Sequence, residues 1–150
     1  MNAWGPGPFD NELAMEFCEL LSDHPDPLGV LRETLIMGAR GPATVKAGFR
    51  TVAAAHLLAL ELGFGEETPP RNCKPPLWAI TQKDAEALRP LAAQALARVL
   101  DQTSPLRQRW EERAAEGQAW VAAVERMYLH LEAPADTPPP PRPFWEEPPR

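Results

Sequence analysis

Three histidines, two cysteines and an N-terminal run of carboxylates are the reactive side chains of this 150-residue sequence. A nucleophilic hydrolase needs Ser, Cys or Thr beside a base, and none of His24, His56 and His130 has such a motif around it. His56 falls on the apolar face of a helical pattern, where a satisfied core histidine is expected ahead of a catalyst. His24 sits in a proline-bounded turn, and His130 lies near a helix end, where a cation suits the helix dipole. Cys18 lies within an apolar helical pattern and Cys73 in a loop. Neither makes a CxxC pair and no HExxH occurs, so the usual spacing of metal ligands is missing. Asp10, Glu12 and Glu16 can gather at one end of a helix, but no histidine or second acidic cluster joins them. The glycines of GFGEE lack a preceding strand and the GK[ST] ending of a phosphate loop. No metal, nucleotide or other cofactor is expected.

Charge is distributed more unevenly than these motifs. Residues 1–31 hold six acids, Asp10, Glu12, Glu16, Glu19, Asp23 and Asp26, and no Lys or Arg. Residues 32–60 hold Arg32, Arg40, Lys46 and Arg50 against Glu33 alone. On a helix, Glu12, Glu16 and Glu19 form a stripe at i, i+4 and i+7. A solvated face accounts for such a stripe, and so does a docking face for a basic partner, because opposed potentials steer association. The net charge of −6 argues against nucleic-acid binding, which is carried by basic stripes that contact phosphate.

A chain of this length fits one domain and can bury roughly two thirds of its unfolded surface, so neither metal nor disulfide is needed for folding. Nineteen prolines are far more than usual, and most lie at 69–76 and 134–149. Twelve arginines against three lysines, with abundant Ala and Pro, is the bias of a GC-rich genome and carries no functional weight. There is no leader-like start and no run of about 18 apolar residues. A cytoplasmic protein with both thiols free, and no membrane association, is the expectation.

Apolar periodicity divides the chain into helices. Leu13, Phe17, Leu20 and Leu21 predict a first helix at about 11–22, capped by Asp10 or Asn11. Asp26-Pro27 caps and opens a second, with Leu28, Leu31 and Leu35 buried, ending between Gly38 and Gly41. From Thr44 the positions Val45, Phe49, Val52, His56 and Leu60 follow one face, and past Val52 the other faces are almost all Ala and Leu, so this helix is expected at the centre. Gly63 and Gly65 stop it, and a long proline-rich loop, 63–76, follows. Leu77, Trp78 and Ile80 anchor the chain before Thr81, a cap. Pro90 predicts a short helix at 82–88 and a fresh one starting at the proline, with Leu88, Leu91, Ala95 and Val99 inward. Ser104-Pro105 opens another, bearing Leu106 and Trp110, with Gly117 just past its end. The last, about 118–131, carries Trp120, Val121, Val124, Met127, Tyr128 and Leu131. No segment alternates as a strand would. The prediction is a compact all-α bundle of six or seven helices over 1–131, followed by an extended proline-rich tail at 132–150 in which Phe144 and Trp145 are the only anchors.

The opening MNAWGPGPFDNEL alternates Gly5 and Gly7 with Pro6 and Pro8. It predicts a stiff lead-in that packs Trp4 and Phe9 on the core and delivers Asp10 and Asn11 to the first helix start. Its Trp4, Gly5, Gly7, Phe9, Asp10, Asn11, Glu12 and Ala14 follow the pattern W-G-x-G-x-F-D-N-(D/E)-x-A. On those residues, and on LRPLAAQALARVL at 88–100, the short helix with Trp110 and WVAAVERM at 120–127, the sequence resembles the bacterial family called domain of unknown function 4259. The resemblance implies a small helical domain and supplies no activity. Similar domains resemble small proteins encoded near toxin and immunity loci.

Three functions are open to such a chain. The leading one is a non-enzymatic interaction module, of which inhibitor and immunity proteins are examples. It would bind another protein, a basic one, through Asp10, Glu12, Glu16 and Glu19 and the 63–76 loop with Arg71 and Lys74. A second is an enzyme whose site lies between the WGPGPFDN turn and that loop, with Asp10 as acid or base and Arg71 or Lys74 holding an anion. The third is a homo-oligomer in which the C-terminal arm, through Phe144 and Trp145, embraces a neighbouring copy.

Overall fold

The computed structural model describes residues 3–63 and 80–132. Among them are six helices and no strand: α1 (Glu12–Asp23), α2 (Pro27–Arg40), α3 (Val45–Glu61), α4 (Gln82–Leu100), α5 (Pro105–Glu111) and α6 (Ala115–Glu132). The protein is all-α. Nearly all of the proline-rich loop and tail, with Arg71, Cys73, Lys74, Phe144 and Trp145, lies outside the described residues.

Each of the first five helices starts where a short polar side chain can take up an orphan backbone N–H. Asn11 Oδ1 accepts from the Ala14 amide at 2.8 Å, and Asp26 Oδ1 from Gly29 at 3.0 Å. Thr44, Thr81 and Ser104 do the same for α3, α4 and α5. Such caps are worth about 1 kcal/mol each. At its far end α3 is closed by Gly63, whose φ of +88° is the left-handed conformation that glycine adopts without penalty.

As its all-round apolar character requires, α3 is the core helix: every residue from Thr51 to Ala59 is buried, and it touches each of the other five. Phe17, Cys18 and Leu21 of α1, Leu31 and Leu35 of α2, and Leu88, Ala92, Leu96 and Val99 of α4 complete the interior. At one end Trp110 stacks on Trp120 with ring centroids 5.8 Å apart.

Two local expectations fail, both for tertiary reasons. Pro90 does not divide α4, which runs unbroken through it. The proline is on the exposed face, where water can satisfy the carbonyl that its missing N–H leaves free, while Ala85, Leu88, Ala92 and Ala93 on either side are buried. Packing against α2, α3 and α6 therefore holds both halves in line. Gly117 is not the residue after α5 but lies inside α6. A Cβ there would fall 1.9 Å from the Trp110 carbonyl oxygen, so its function is to let two helices meet. The left-handed position in the α5–α6 connection is taken instead by Ala114, φ 51°.

Candidate functional site

The N-terminal turn is built backbone-first. The Trp4 amide donates to the Asp10 carbonyl at 2.9 Å, and Ala3 pairs with Asn11, closing residues 4–10 into a loop. Inside that loop the Gly7 amide donates to Asp10 Oδ2 at 3.0 Å. The same carboxylate explains both glycines, since a Cβ on Gly5 or Gly7 would stand 2.5 or 2.7 Å from Asp10 Oδ2. Arg113 ties the loop to the α5–α6 junction by donating to the Ala3 carbonyl at 3.0 Å.

Asp10 is thus a turn-closing group, and Asn11, its neighbour, is the cap of α1. The two aromatics part company. Phe9 is buried and meets His56 edge-on, with centroids 5.3 Å apart and ring planes at 87°. Trp4, expected on the core beside it, is 64% exposed. The backbone bond from residue 4 to residue 10 holds the ends of the turn together without help from the indole, and of the two rings only Phe9 is buried.

Past Asp10 the acidic face continues along α1. Glu12, Glu16 and Glu19 are all exposed. Glu12 and Glu16 form one wall of an open groove of about 440 Å³, floored by Leu13, Val45 and Phe49 and faced on the α3 side by Lys46 and Arg50. Among the described residues these four charges form no ion pair with one another. The face is consequently two-sided, acidic on α1 and basic on α3. Asp10 does not line it.

A second concavity, about 220 Å³, lies between the Pro6-Gly7-Pro8 segment of the turn, α3 and α6. Val52, Val124, Met127, Ala119 and Ala123 give it apolar walls, and among the described residues its ionisable groups are His56, Arg126 and His130. His56, flagged in the sequence as a core histidine, is buried, and it also reaches this cleft. Arg126 was not singled out by the sequence, and His130 was read there only as a residue near a helix end, because the α3 side of the cleft is 70 or more residues away in the chain. The end of α6 is fixed by a buried Arg89. Its Nη2 donates to the His130 carbonyl at 2.6 Å and its Nε to that of Leu131 at 3.3 Å, placing a cation against the negative end of the helix. An arginine inside the apolar stripe of α4 is the signal by which it could have been found.

His24, at the end of α1, accepts the Asp26 amide on Nδ1 at 2.9 Å and serves the turn. Cys18 is buried in the core face of α1. Among the described residues no helix is long and apolar enough to cross a membrane.

Fold and surface together define a small all-helical domain, opened by a glycine–proline turn, with a two-signed groove on one side and a cation-edged cleft on another. Residues 2–123 match the family described as Domain of unknown function (DUF4259), and the chain belongs to that family. No curated protein and no solved structure matches it.

Proposed function

We propose that this chain is a non-enzymatic protein-interaction module that receives a basic partner on the exposed face of α1. The observation that carries the reading is the stripe of Glu12, Glu16 and Glu19, all exposed, with Leu20 beside them 54% exposed. An apolar anchor among charged neighbours is how interfaces combine a desolvated centre with a polar rim. The carboxylates steer the partner in, and Lys46 and Arg50 across the groove repel a basic surface there, so the two signs fix its orientation. An inhibitor or immunity-type protein covering the phosphate-binding surface of a nucleic-acid-directed enzyme would present such a face. Asp10 offers an enzyme little, because its carboxylate is engaged by the Gly7 amide.

Affinity capture from the native host tests the reading. Wild type should retain a stoichiometric basic protein, the E12K/E16K/E19K variant should lose it, and L20A should weaken it by about tenfold, as loss of an interface anchor does. Absence of a stoichiometric partner, or its equal retention by the charge-reversed variant, would count against the module.

A further inference from the structure

Among the described residues Thr51 is the most deeply buried polar side chain, 1% exposed, and its Oγ1 makes no hydrogen bond. A helical threonine has a remedy close at hand, the carbonyl four residues back. Thr34 in α2 takes it, donating to the Val30 carbonyl at 2.8 Å. Thr51 does not. Its hydroxyl is turned toward α2, so that a Cβ on Gly38 would stand 2.3 Å from Oγ1, and glycine at 38 is what leaves the hydroxyl room. A buried hydroxyl without a partner is costly, because the water that solvated it in the unfolded chain has not been replaced.

The hydroxyl points into a hollow of about 20 Å³ where α2, α3, α4 and the start of α5 meet, with Gly38, Thr51, Arg98 and Ser104 among its lining. Pro42, Ala43 and Thr44 at its rim are exposed, whereas Thr51 and Ser104 are buried, so the hollow runs inward from the surface. A water molecule needs about 10–15 Å³ and roughly two to four polar partners. Both conditions are met. The Ser104 hydroxyl accepts the Arg107 amide and keeps its own proton to donate. Arg98 Nη1 donates to the Gly38 carbonyl at 3.2 Å, which holds the guanidinium, with its further N–H groups, at the wall. An organic ligand would need a space many times larger.

We propose that this hollow is a binding site for a single ordered water, held by Thr51 Oγ1, the Ser104 hydroxyl and the Arg98 guanidinium. The water supplies the bond that Thr51 forgoes within its own helix, and it ties α3 to α4 and to the start of α5. The site is independent of the α1 face and its charges.

A high-resolution crystal structure of the full chain and oxygen-17 relaxation dispersion of its water test the proposal. Density for a water about 2.8 Å from Thr51 Oγ1, with a second contact to Ser104 or Arg98, is expected. T51V keeps the shape of the side chain and removes the hydroxyl. It should lose that density, lower the count of long-lived waters by a single molecule, and lower Tm by about 2–5 °C, the shift for a lost hydrogen bond. An unsatisfied hydroxyl predicts the opposite sign, because the same substitution would then remove a penalty and raise Tm. The proposal is overturned by absence of density at that position, by a hydroxyl rotated onto the Ala47 carbonyl, by anomalous scattering that marks the occupant as chloride, or by a folded T51V whose Tm is unchanged or raised.

Discussion

The WGPGPFDN turn and the first helix are adjacent in the chain and both carry carboxylates, yet they treat them oppositely. In the turn, Asp10 is drawn onto the Gly7 amide and packed against two glycines that leave it room. Along α1, Glu12, Glu16 and Glu19 point away from the interior and are exposed. A short side chain beside a bend can reach its own backbone. A longer one on a helix surface cannot compete with bonds the helix already makes, so it is left to solvent or to a partner. The difference separates an acid that closes a turn from a set of acids at the surface.

The contrast can be broken most decisively at the turn's aromatics. F9A should cost about 3–5 kcal/mol in denaturant unfolding, the range for truncating a buried phenylalanine, whereas W4A should stay within about 0.5 kcal/mol. Equal losses would mean that the turn does not divide inside from outside as described. Next in size, G7A should cost about 1–3 kcal/mol by forcing a methyl onto the Asp10 carboxylate. A double-mutant cycle sharpens this, because in a D10A background the G7A penalty should largely vanish. If it persists, the backbone and not the carboxylate is what demands glycine. At the join of the two regions, N11A should cost about 1 kcal/mol through loss of the α1 cap, read as a lower midpoint with unchanged slope in urea. Smallest of all, E16K/E19K should shift stability by under about 0.5 kcal/mol, since these side chains are exposed. A loss several times larger would show that the stripe serves folding and would remove the basis for treating it as a docking face.

Much of the fold was legible because its signals are local. Asn11, Asp26, Thr44, Thr81 and Ser104 each accept the amide three residues on, a bond that needs nothing beyond the helix it starts. The Trp120, Val124, Met127 and Leu131 stripe of α6 and the all-round apolar α3 are likewise written in spacing alone. The candidate sites were legible only by halves. The Glu12–Glu16 wall was visible, while the Lys46–Arg50 wall opposite it was a charge imbalance without a place. His56 was visible as a buried histidine, but not as a neighbour of Pro6, Arg126 and His130.

The sequence by itself determined where the first five helices begin, which faces they bury, and that a glycine–proline turn precedes α1. Tertiary structure alone decided that α4 runs through Pro90, that Gly117 is a contact point and not a stop, that Trp4 faces out while Phe9 faces in, and that α6 meets the turn to form a cleft. The reason is range. Capping and periodicity act within a turn or two of helix, where a few neighbouring residues suffice, whereas close approach and burial depend on surfaces supplied by segments far away in the chain.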